Sequence, residues 1–135
     1  MYESVAHVTQ LLAKSEYHRE ISFASYLRNQ IHPPLLLGQL AVYQTLDDFA
    51  IAFISWAKVS ESIEKELCQG RRLQLSEWQC GDRVFINDFV APYGGTTAIV
   101  SDVRSRFFRG CRTAKSVRRS KSGDVRKVCR WKLDR

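Results

Sequence analysis

Residues 49–59 read Phe-Ala-Ile-Ala-Phe-Ile-Ser-Trp-Ala-Lys-Val. In an extended strand, successive side chains face opposite sides, so the odd-numbered residues from 49 to 53 share one side and the even-numbered residues from 50 to 56 share the other. Both sides are apolar, which is typical of a strand that is covered on both faces. We therefore expect an inner strand of a sheet with helices packed over it.

The periodicity of apolar residues predicts the elements around this strand. Helical spacing indicates helices over residues 2–14 and 22–31, and we expect Pro33-Pro34 to end the second, because proline cannot donate a backbone hydrogen bond. The strand pairs with a preceding strand over 39–45 through a turn at Asp47-Asp48. The other expected elements are a helix over 61–68 capped by Ser60, a strand over 83–90, a helix capped by Thr96, and strands near 112–118 and 125–132.

This order, α-α-β-β-α-β-α-β-β, predicts an α+β fold with a mainly antiparallel sheet covered by helices. A chain of 135 residues that is 44% hydrophobic and 26% charged has the composition of one globular domain, residues 1–135. No apolar run approaches the roughly 18 residues of a membrane span, and no signal peptide is recognisable at the N-terminus. The four cysteines form no CxxC pair, so we expect no metal site and no disulfide framework, and a cytoplasmic location.

The charge is distributed unevenly. Residues 1–103 carry 8 basic and 12 acidic side chains, whereas residues 104–135 carry 13 basic and 2 acidic ones, a net charge of +11. A basic end on an acidic body favours a polyanionic partner, either nucleic acid or an acidic protein. The alternative is a solvated tail that has no dedicated partner.

Asp88 is the most informative single residue. The strand alternation puts it on one face with Val84, Ile86 and Val90, where a carboxylate is costly unless it is paired, and it puts Asn87 on the opposite face. It also precedes a glycine-containing loop, and strand ends that open into loops often build functional sites. The alternative is a structural carboxylate that accepts bonds from backbone N–H groups of the turn.

His18 and the segment Gly94-Gly95-Thr96 are the other candidates. His18 lies in a polar break between two predicted helices, and a neutral imidazole can remove a proton near pH 7. The alternative is an incidental role, which is the more usual one for a lone histidine. Gly94, Gly95 and Thr96 join a strand to a helix, where exposed N–H groups favour an anion, although paired glycines also make ordinary tight turns.

Three stretches taken together carry a family resemblance. They are Ser15-Glu16-Tyr17-His18-Arg19, then residues 46–57 with the sequence Leu-Asp-Asp-Phe-Ala-Ile-Ala-Phe-Ile-Ser-Trp-Ala, then residues 81–94 with the sequence Gly-Asp-Arg-Val-Phe-Ile-Asn-Asp-Phe-Val-Ala-Pro-Tyr-Gly. In order and spacing this set resembles the RTX toxin-activating lysine acyltransferases, over roughly residues 5–110.

The resemblance implies a fold similar to the GNAT acyltransferases and the transfer of a fatty acyl group from acyl-acyl carrier protein to internal lysines of an RTX protoxin. It implies no bound cofactor and allows a homodimer. The family's essential histidine falls on His18 and its essential aspartate on Asp88, while Ser15 and Asn29 match further family positions. The basic segment 104–135 then has an acidic carrier protein or an Asp-rich toxin as its expected partner.

The residues fit this chemistry. A lysine ammonium, with a pKa near 10.4, must lose a proton before it attacks a thioester. His18 is a suitable base, Asp88 can orient the imidazole or the amine, and backbone N–H groups near 89–91 or 94–96 can stabilise the oxyanion. An acyl-histidine intermediate remains open. The alternative function is a non-catalytic basic module for nucleic acid or an acidic protein, and the lack of a nucleic-acid-binding motif makes nucleic acid the weaker expectation.

Overall fold

The computed structural model describes residues 2–15, 22–120 and 122–133. Five α-helices and five strands make up most of the described chain. The helices are α1 (Tyr2–Leu12), α2 (Phe23–Tyr26), α3 (His32–Leu36), α4 (Glu61–Cys68) and α5 (Thr96–Arg106), with a π-helical segment over Leu27–Ile31 and a 3-10 turn over Leu75–Glu77. The strands are β1 (Leu40–Gln44), β2 (Ala50–Val59), β3 (Arg83–Val90), β4 (Thr113–Arg119) and β5 (Val125–Lys132).

The five strands form one sheet in the order β1-β2-β3-β4-β5. All neighbouring pairs are antiparallel except β3 and β4, which are parallel and are connected through α5. β2 lies between β1 and β3, and eight of its ten residues are buried. The α+β class, the mainly antiparallel sheet and the inner position of β2 are therefore confirmed.

Helices cover both faces of the sheet. On one face, Ile99 and Val103 of α5 pack with Ile54 and Trp56 of β2. On the other face, α1 packs against Phe53 through Val8 and Leu11. Leu67 of α4 extends this second layer in a cluster with Trp78 and Phe85. In the described part of the chain, no helix combines the length and the hydropathy that a bilayer crossing requires.

The expected helix end at Pro33-Pro34 is wrong. The chain continues from α2 through the π segment into α3, which carries the prolines in its first turn and ends at Leu36. The π segment ends at Ile31 and α3 begins at His32, so the prolines lie in the first turn of α3, where N–H groups have no intrahelical acceptor and proline removes no hydrogen bond.

The expected cap at Thr96 is also wrong. Thr96 is the first residue of α5, and Gly95 occupies the N-cap position with φ of 75° and no side-chain cap. A left-handed backbone at this position favours glycine, and Gly94 has a similar φ of 84°. The cap at Ser60 is confirmed, since its Oγ accepts a hydrogen bond from the Ile63 N–H at 3.3 Å.

A bulge in β3 changes which residues share a face. Ser55 of β2 pairs with Asp88, but its neighbour Trp56 pairs with Ile86, so Asn87 is an extra residue. One extra residue reverses the alternation beyond it. Val84 and Ile86 pack on the α5 face, whereas Val90 packs with α1. The expectation that Asp88 shares a face with Val84 and Ile86 is wrong. A second bulge, next to Tyr43, likewise places Ala50 with the α1 cluster.

β3 and β4 stay paired over only a short length. Their register consists of Val84 with Ala114 and Phe85 with Lys115. Glu64 of α4 lies next to these paired residues. It is buried and bonded to Arg83 at 3.1 Å and to Lys115 at 3.2 Å. Beyond Phe85 the two strands have no further registered pair among the described residues. β3 and β4 are therefore paired at Val84 and Phe85, and a gap between the two strands begins beyond Phe85.

Candidate active site

Asp88 lies at the centre of a small polar network on the α1 face of the sheet. The Tyr26 hydroxyl donates a hydrogen bond to Asp88 Oδ2. Asn87 Nδ2 donates to the same oxygen at 3.2 Å and to Gln30 Oε1 at 2.7 Å. Tyr26 and Gln30 are 5% and 9% exposed, whereas Asn87 and Asp88 are half-buried, so the network is shielded from water on its helix side. These contacts are between side chains, which argues against a carboxylate that merely caps a backbone turn.

Asn87 lies beside Asp88 and not across the sheet from it. The sequence-based expectation placed the two side chains on opposite faces because it assumed regular alternation. The bulge breaks that alternation, and the hydrogen bond between the two side chains shows that they lie on the same side.

A cavity of about 430 Å³ opens in front of Asp88. We call it the Asp88 cavity. Ser15, three residues after the end of α1, lines it together with Asp88, and Leu67, Leu73 and Phe85 contribute apolar surface. It therefore combines a fixed carboxylate with both polar and apolar walls.

A second cavity, of about 570 Å³, lies on the other side of the sheet between α5 and β5. We call it the α5 cavity. Five residues line both cavities, and all come from the open ends of β3 and β4: Asn87, Phe89, Ala91, Val117 and Arg118. The two cavities therefore flank the same gap in the sheet, the one left where β3 and β4 separate.

Both cavities are rich in positive charge. Arginine and lysine side chains at the Asp88 cavity are Lys14, Arg71, Arg72, Arg118, Arg119 and Arg126, and those at the α5 cavity are Arg104, Arg118, Arg130 and Lys132. Arg71 and Arg119 are among the cations that neighbours hold. Arg71 makes two 2.8 Å bonds to Glu77, which hold the pKa of that carboxyl below its ordinary value, and Arg119 donates to the carbonyls of Gly123 and Gly70. The gap is thus suited to negatively charged molecules.

The structure brings some of the predicted site residues together. Ser15 and Asp88 line one cavity, and Thr96 lines the other. His18 lies outside the described residues, so its predicted role stays a prediction. Asn29 lines neither cavity, and its Nδ2 donates to Ser25 Oγ at 3.2 Å on the same helical stretch. Gly94 and Gly95 shape the turn between β3 and α5.

Sequence reasoning missed Tyr26, Gln30 and Asn87. The first two are four residues apart, so their spacing indicated one helical face, but a tyrosine and a glutamine there are equally typical of a solvated surface. Asn87 was assigned to the wrong side. No local sequence pattern predicts the bulge or the contact between α2 and β3.

Among residues 2–15, 22–120 and 122–133, no group of three or more His, Cys, Asp and Glu side chains is placed to hold a metal ion. The functional groups that the described site offers are a carboxylate, hydroxyls, amides and cations. These groups can take part in proton transfer and can bind anionic or carbonyl-containing substrates.

Comparisons with known proteins agree with the motifs. The chain is 35% identical over 107 residues to the lysine-acyltransferase RtxC of Vibrio cholerae, covering 78% of this chain and 69% of that relative. It is 30% identical over 107 residues to the RTX-II toxin-activating lysine-acyltransferase ApxIIC of Actinobacillus pleuropneumoniae, covering 78% and 66%. It is 32% identical over 106 residues to the protein-lysine myristoyltransferase HlyC of Escherichia coli, covering 78% and 61%.

The chain thus spans about two thirds of the length of these curated relatives. The sequence-based prediction of an acyltransferase is confirmed at the level of the family. A sequence model of that family matches residues 1–132, nearly the whole chain. The chain therefore belongs to the RTX toxin acyltransferase family.

Proposed function

We propose that this protein transfers a fatty acyl group from acyl-acyl carrier protein to internal lysine side chains of an RTX protoxin, in the cytoplasm. The observation that carries the proposal is the position of Asp88, a hydrogen-bonded carboxylate in a basic cavity at a gap in the sheet. Family membership supplies the reaction class, and the names of two relatives specify lysine and RTX toxins.

We assign the role of general base to His18. Ser15 lines the Asp88 cavity, and three peptide units separate it from His18, which limits the distance between their Cα atoms to about 11 Å. Within this distance of Ser15, a histidine side chain can reach a substrate bound in that cavity. Ser15 is assigned a supporting role at the same wall.

The proposed reaction is acyl transfer from sulfur to nitrogen. His18 takes a proton from the lysine ammonium, and the free amine attacks the thioester carbonyl. A C–N bond forms, the C–S bond breaks, and the carrier thiol leaves with a proton. Asp88 orients the imidazole or the incoming amine. Transfer through an acyl-histidine would use the same residues.

The gap between β3 and β4 suits the two substrates. We assign the acyl donor to the α5 cavity, where Val100 and Trp131 provide apolar contact and Arg104, Arg130 and Lys132 favour an anionic arm. The lysine acceptor is assigned to the Asp88 cavity. Since β3 has no registered partner on its β4 side beyond Phe85 in the described chain, N–H groups over residues 89–91 are candidates for stabilising the oxyanion. A parallel strand pair that separates in this way suits the GNAT-like fold that we infer.

The test uses purified protein with myristoyl-acyl carrier protein and the RTX-II protoxin of Actinobacillus pleuropneumoniae. Peptide mapping by mass spectrometry should find the acyl group on specific lysines. We expect His18→Ala and Asp88→Asn to abolish the modification, since each removes a group needed for amine attack. Matched controls are His7→Ala in α1 and Asp47→Asn in the hairpin turn, which should transfer normally.

Near-normal modification by Asp88→Asn would remove Asp88 from the mechanism, and the same result for His18→Ala would remove the histidine. An unmodified protoxin after incubation with folded wild type, while the Actinobacillus pleuropneumoniae relative acylates the same protoxin in parallel, would count against this assignment of substrates.

A further inference from the structure

We propose that Tyr26 is a positioning residue for acyl transfer, acting with Asn87 and Gln30 to hold the Asp88 carboxylate in one orientation. The inference rests on the proposed function, which gives Asp88 its catalytic role. It adds Tyr26 and Gln30, which lie outside the sequence motifs, and it gives a role to Asn87, which the motif over residues 81–94 contains.

Two irregular elements meet at this point of the fold. Tyr26 is the last residue of α2, and the π segment over Leu27–Ile31 follows it directly. Opposite lies the β3 bulge, with Asn87 as its extra residue. Single π-helical turns and bulges both interrupt regular hydrogen bonding, and both occur frequently at functional sites. Here they place Tyr26 and Gln30 from one element against Asn87 and Asp88 from the other.

Two hydrogen bonds converge on one carboxylate oxygen. Tyr26 Oη and Asn87 Nδ2 both donate to Asp88 Oδ2. The Asn87 amide is held in turn by Gln30 Oε1 at 2.7 Å. Two donors that approach one oxygen from different elements restrict rotation of the carboxylate, and so they also fix the direction of its other oxygen.

Burial strengthens this restraint. Tyr26 and Gln30 are almost fully covered, so water does not compete freely for their polar atoms. Hydrogen bonds from such shielded donors are stronger than the same bonds in water. A carboxylate held in this way is already oriented before the substrate arrives, and a small displacement of a catalytic group can slow a reaction by about 100-fold.

The test compares two Tyr→Phe variants that each remove one tyrosine–aspartate hydrogen bond. Tyr26→Phe removes the bond to Asp88. Tyr43→Phe removes the 2.6 Å bond from Tyr43 Oη to Asp102 Oδ2, which lies on the α5 side of the sheet. The pair is matched in chemistry, so it separates the effect of position from the general cost of losing such a bond.

We expect Tyr26→Phe to lower kcat about 10-fold to 100-fold, with little change in KM for myristoyl-acyl carrier protein or the RTX-II protoxin. Tyr43→Phe should leave both constants near wild type, although each variant should lower the melting temperature to a similar extent. Asn87→Ala, measured in the same way, should also lower kcat, and it provides a second reading if Tyr26→Phe does not fold.

A kcat near wild type for folded Tyr26→Phe and for Asn87→Ala would overturn the inference. So would equal losses for Tyr26→Phe and Tyr43→Phe, because these would indicate a general effect on stability. Asp88→Asn measured in parallel separates this result from the proposed function. If Asp88→Asn is inactive while Tyr26→Phe is normal, the positioning role fails alone; if Asp88→Asn is active, the catalytic role of Asp88 fails.

Discussion

Gly81, Arg83 and Asp88 belong to one sequence block, yet each occupies its position for a different physical reason. Gly81 lies where a side chain would collide with β2. Arg83 bonds the buried Glu64 of α4 at 3.1 Å. Asp88 receives hydrogen bonds from Tyr26 and Asn87. Gly81 and Arg83 therefore hold the start of β3 against β2 and α4, and Asp88 lies further along the same strand.

Gly81→Ala tests the first of these reasons. A Cβ at this position would lie 2.2 Å from the carbonyl carbon of Val59, and the backbone there is fixed because the N–H groups of Cys80 and Gly81 both donate to the Lys58 carbonyl. We expect a loss of about 2 kcal/mol or more in the free energy of unfolding, since the strand backbone must shift. Urea denaturation provides the measurement.

Gly95→Ala is the matched control. Gly95 has a positive φ of 75°, but a Cβ there meets nothing within 4 Å. Its expected loss is only the conformational cost, about 1 kcal/mol. A Gly81→Ala variant that is as stable as wild type would show that the contact between β2 and this loop is loose.

At the scale of elements, the connection between α4 and β3 depends on a charged anchor. Arg71, just after α4, makes paired bonds to Glu77 of the 3-10 turn and a further bond to Glu66. The Gln74 N–H also donates to Glu77 at 2.9 Å. These bonds orient the segment that carries Trp78, a buried residue of the α4-side core, and they place Arg71 at the Asp88 cavity.

This anchor predicts a dependence of stability on acidic pH. The Arg71 bonds lower the pKa of Glu77 below its ordinary value of 4.5. A carboxyl with a lowered pKa in the folded state stabilises the protein fully above its unfolded pKa, and this contribution is lost as the pH falls through the folded pKa. We therefore expect Glu77→Gln to cost about 1 kcal/mol at pH 7 and progressively less below about pH 4.5.

Thermal or urea unfolding across this pH range measures the effect. Asp47→Asn, at an exposed position in the hairpin turn, is the control and should follow the wild-type profile. A Glu77→Gln variant whose loss of stability stays constant from pH 7 to pH 3 would mean that the ion pair contributes nothing beyond packing.

At the scale of the whole molecule, the structure shows where the basic residues of the C-terminal segment lie. Basic residues of β4 and β5 line both cavities, among them Arg118, Arg126 and Arg130. The excess positive charge of residues 104–135 is therefore concentrated in part around the gap in the sheet. An acidic carrier protein would be attracted to the same region where its acyl group is needed.

We expect Arg118→Gln with Arg130→Gln to raise KM for myristoyl-acyl carrier protein several-fold while kcat stays near wild type. Rim charges act mainly on encounter, so the salt dependence of kcat/KM should also become weaker. Steady-state kinetics between low and physiological ionic strength provide the measurement. Lys65→Gln, on an exposed residue of α4 that lines neither cavity, is the control. A change confined to kcat would argue against donor binding at this surface.

The sequence by itself determined the fold class, the inner strand and the family. Apolar residues on both sides of residues 50–59 indicate a covered strand whatever their partners are, because burial depends on side-chain character. The hairpin turns, the Ser60 cap and the motif around Asp88 are equally local signals. Ser15 from the first stretch of the family resemblance and Asp88 from the third do line one cavity.

Only the tertiary structure decided which side chains surround Asp88. The β3 bulge arises from the pairing of β3 with β2, and the sequence of β3 does not announce it. That single extra residue moves Asp88 to the α1 face and brings Asn87 to its side. The gap between β3 and β4 likewise depends on how separate elements pack, and so does the approach of Tyr26 from α2 and of Gln30 from the π segment. Contacts between residues 57 to 62 positions apart carry no local pattern, so they emerge only when the chain is folded.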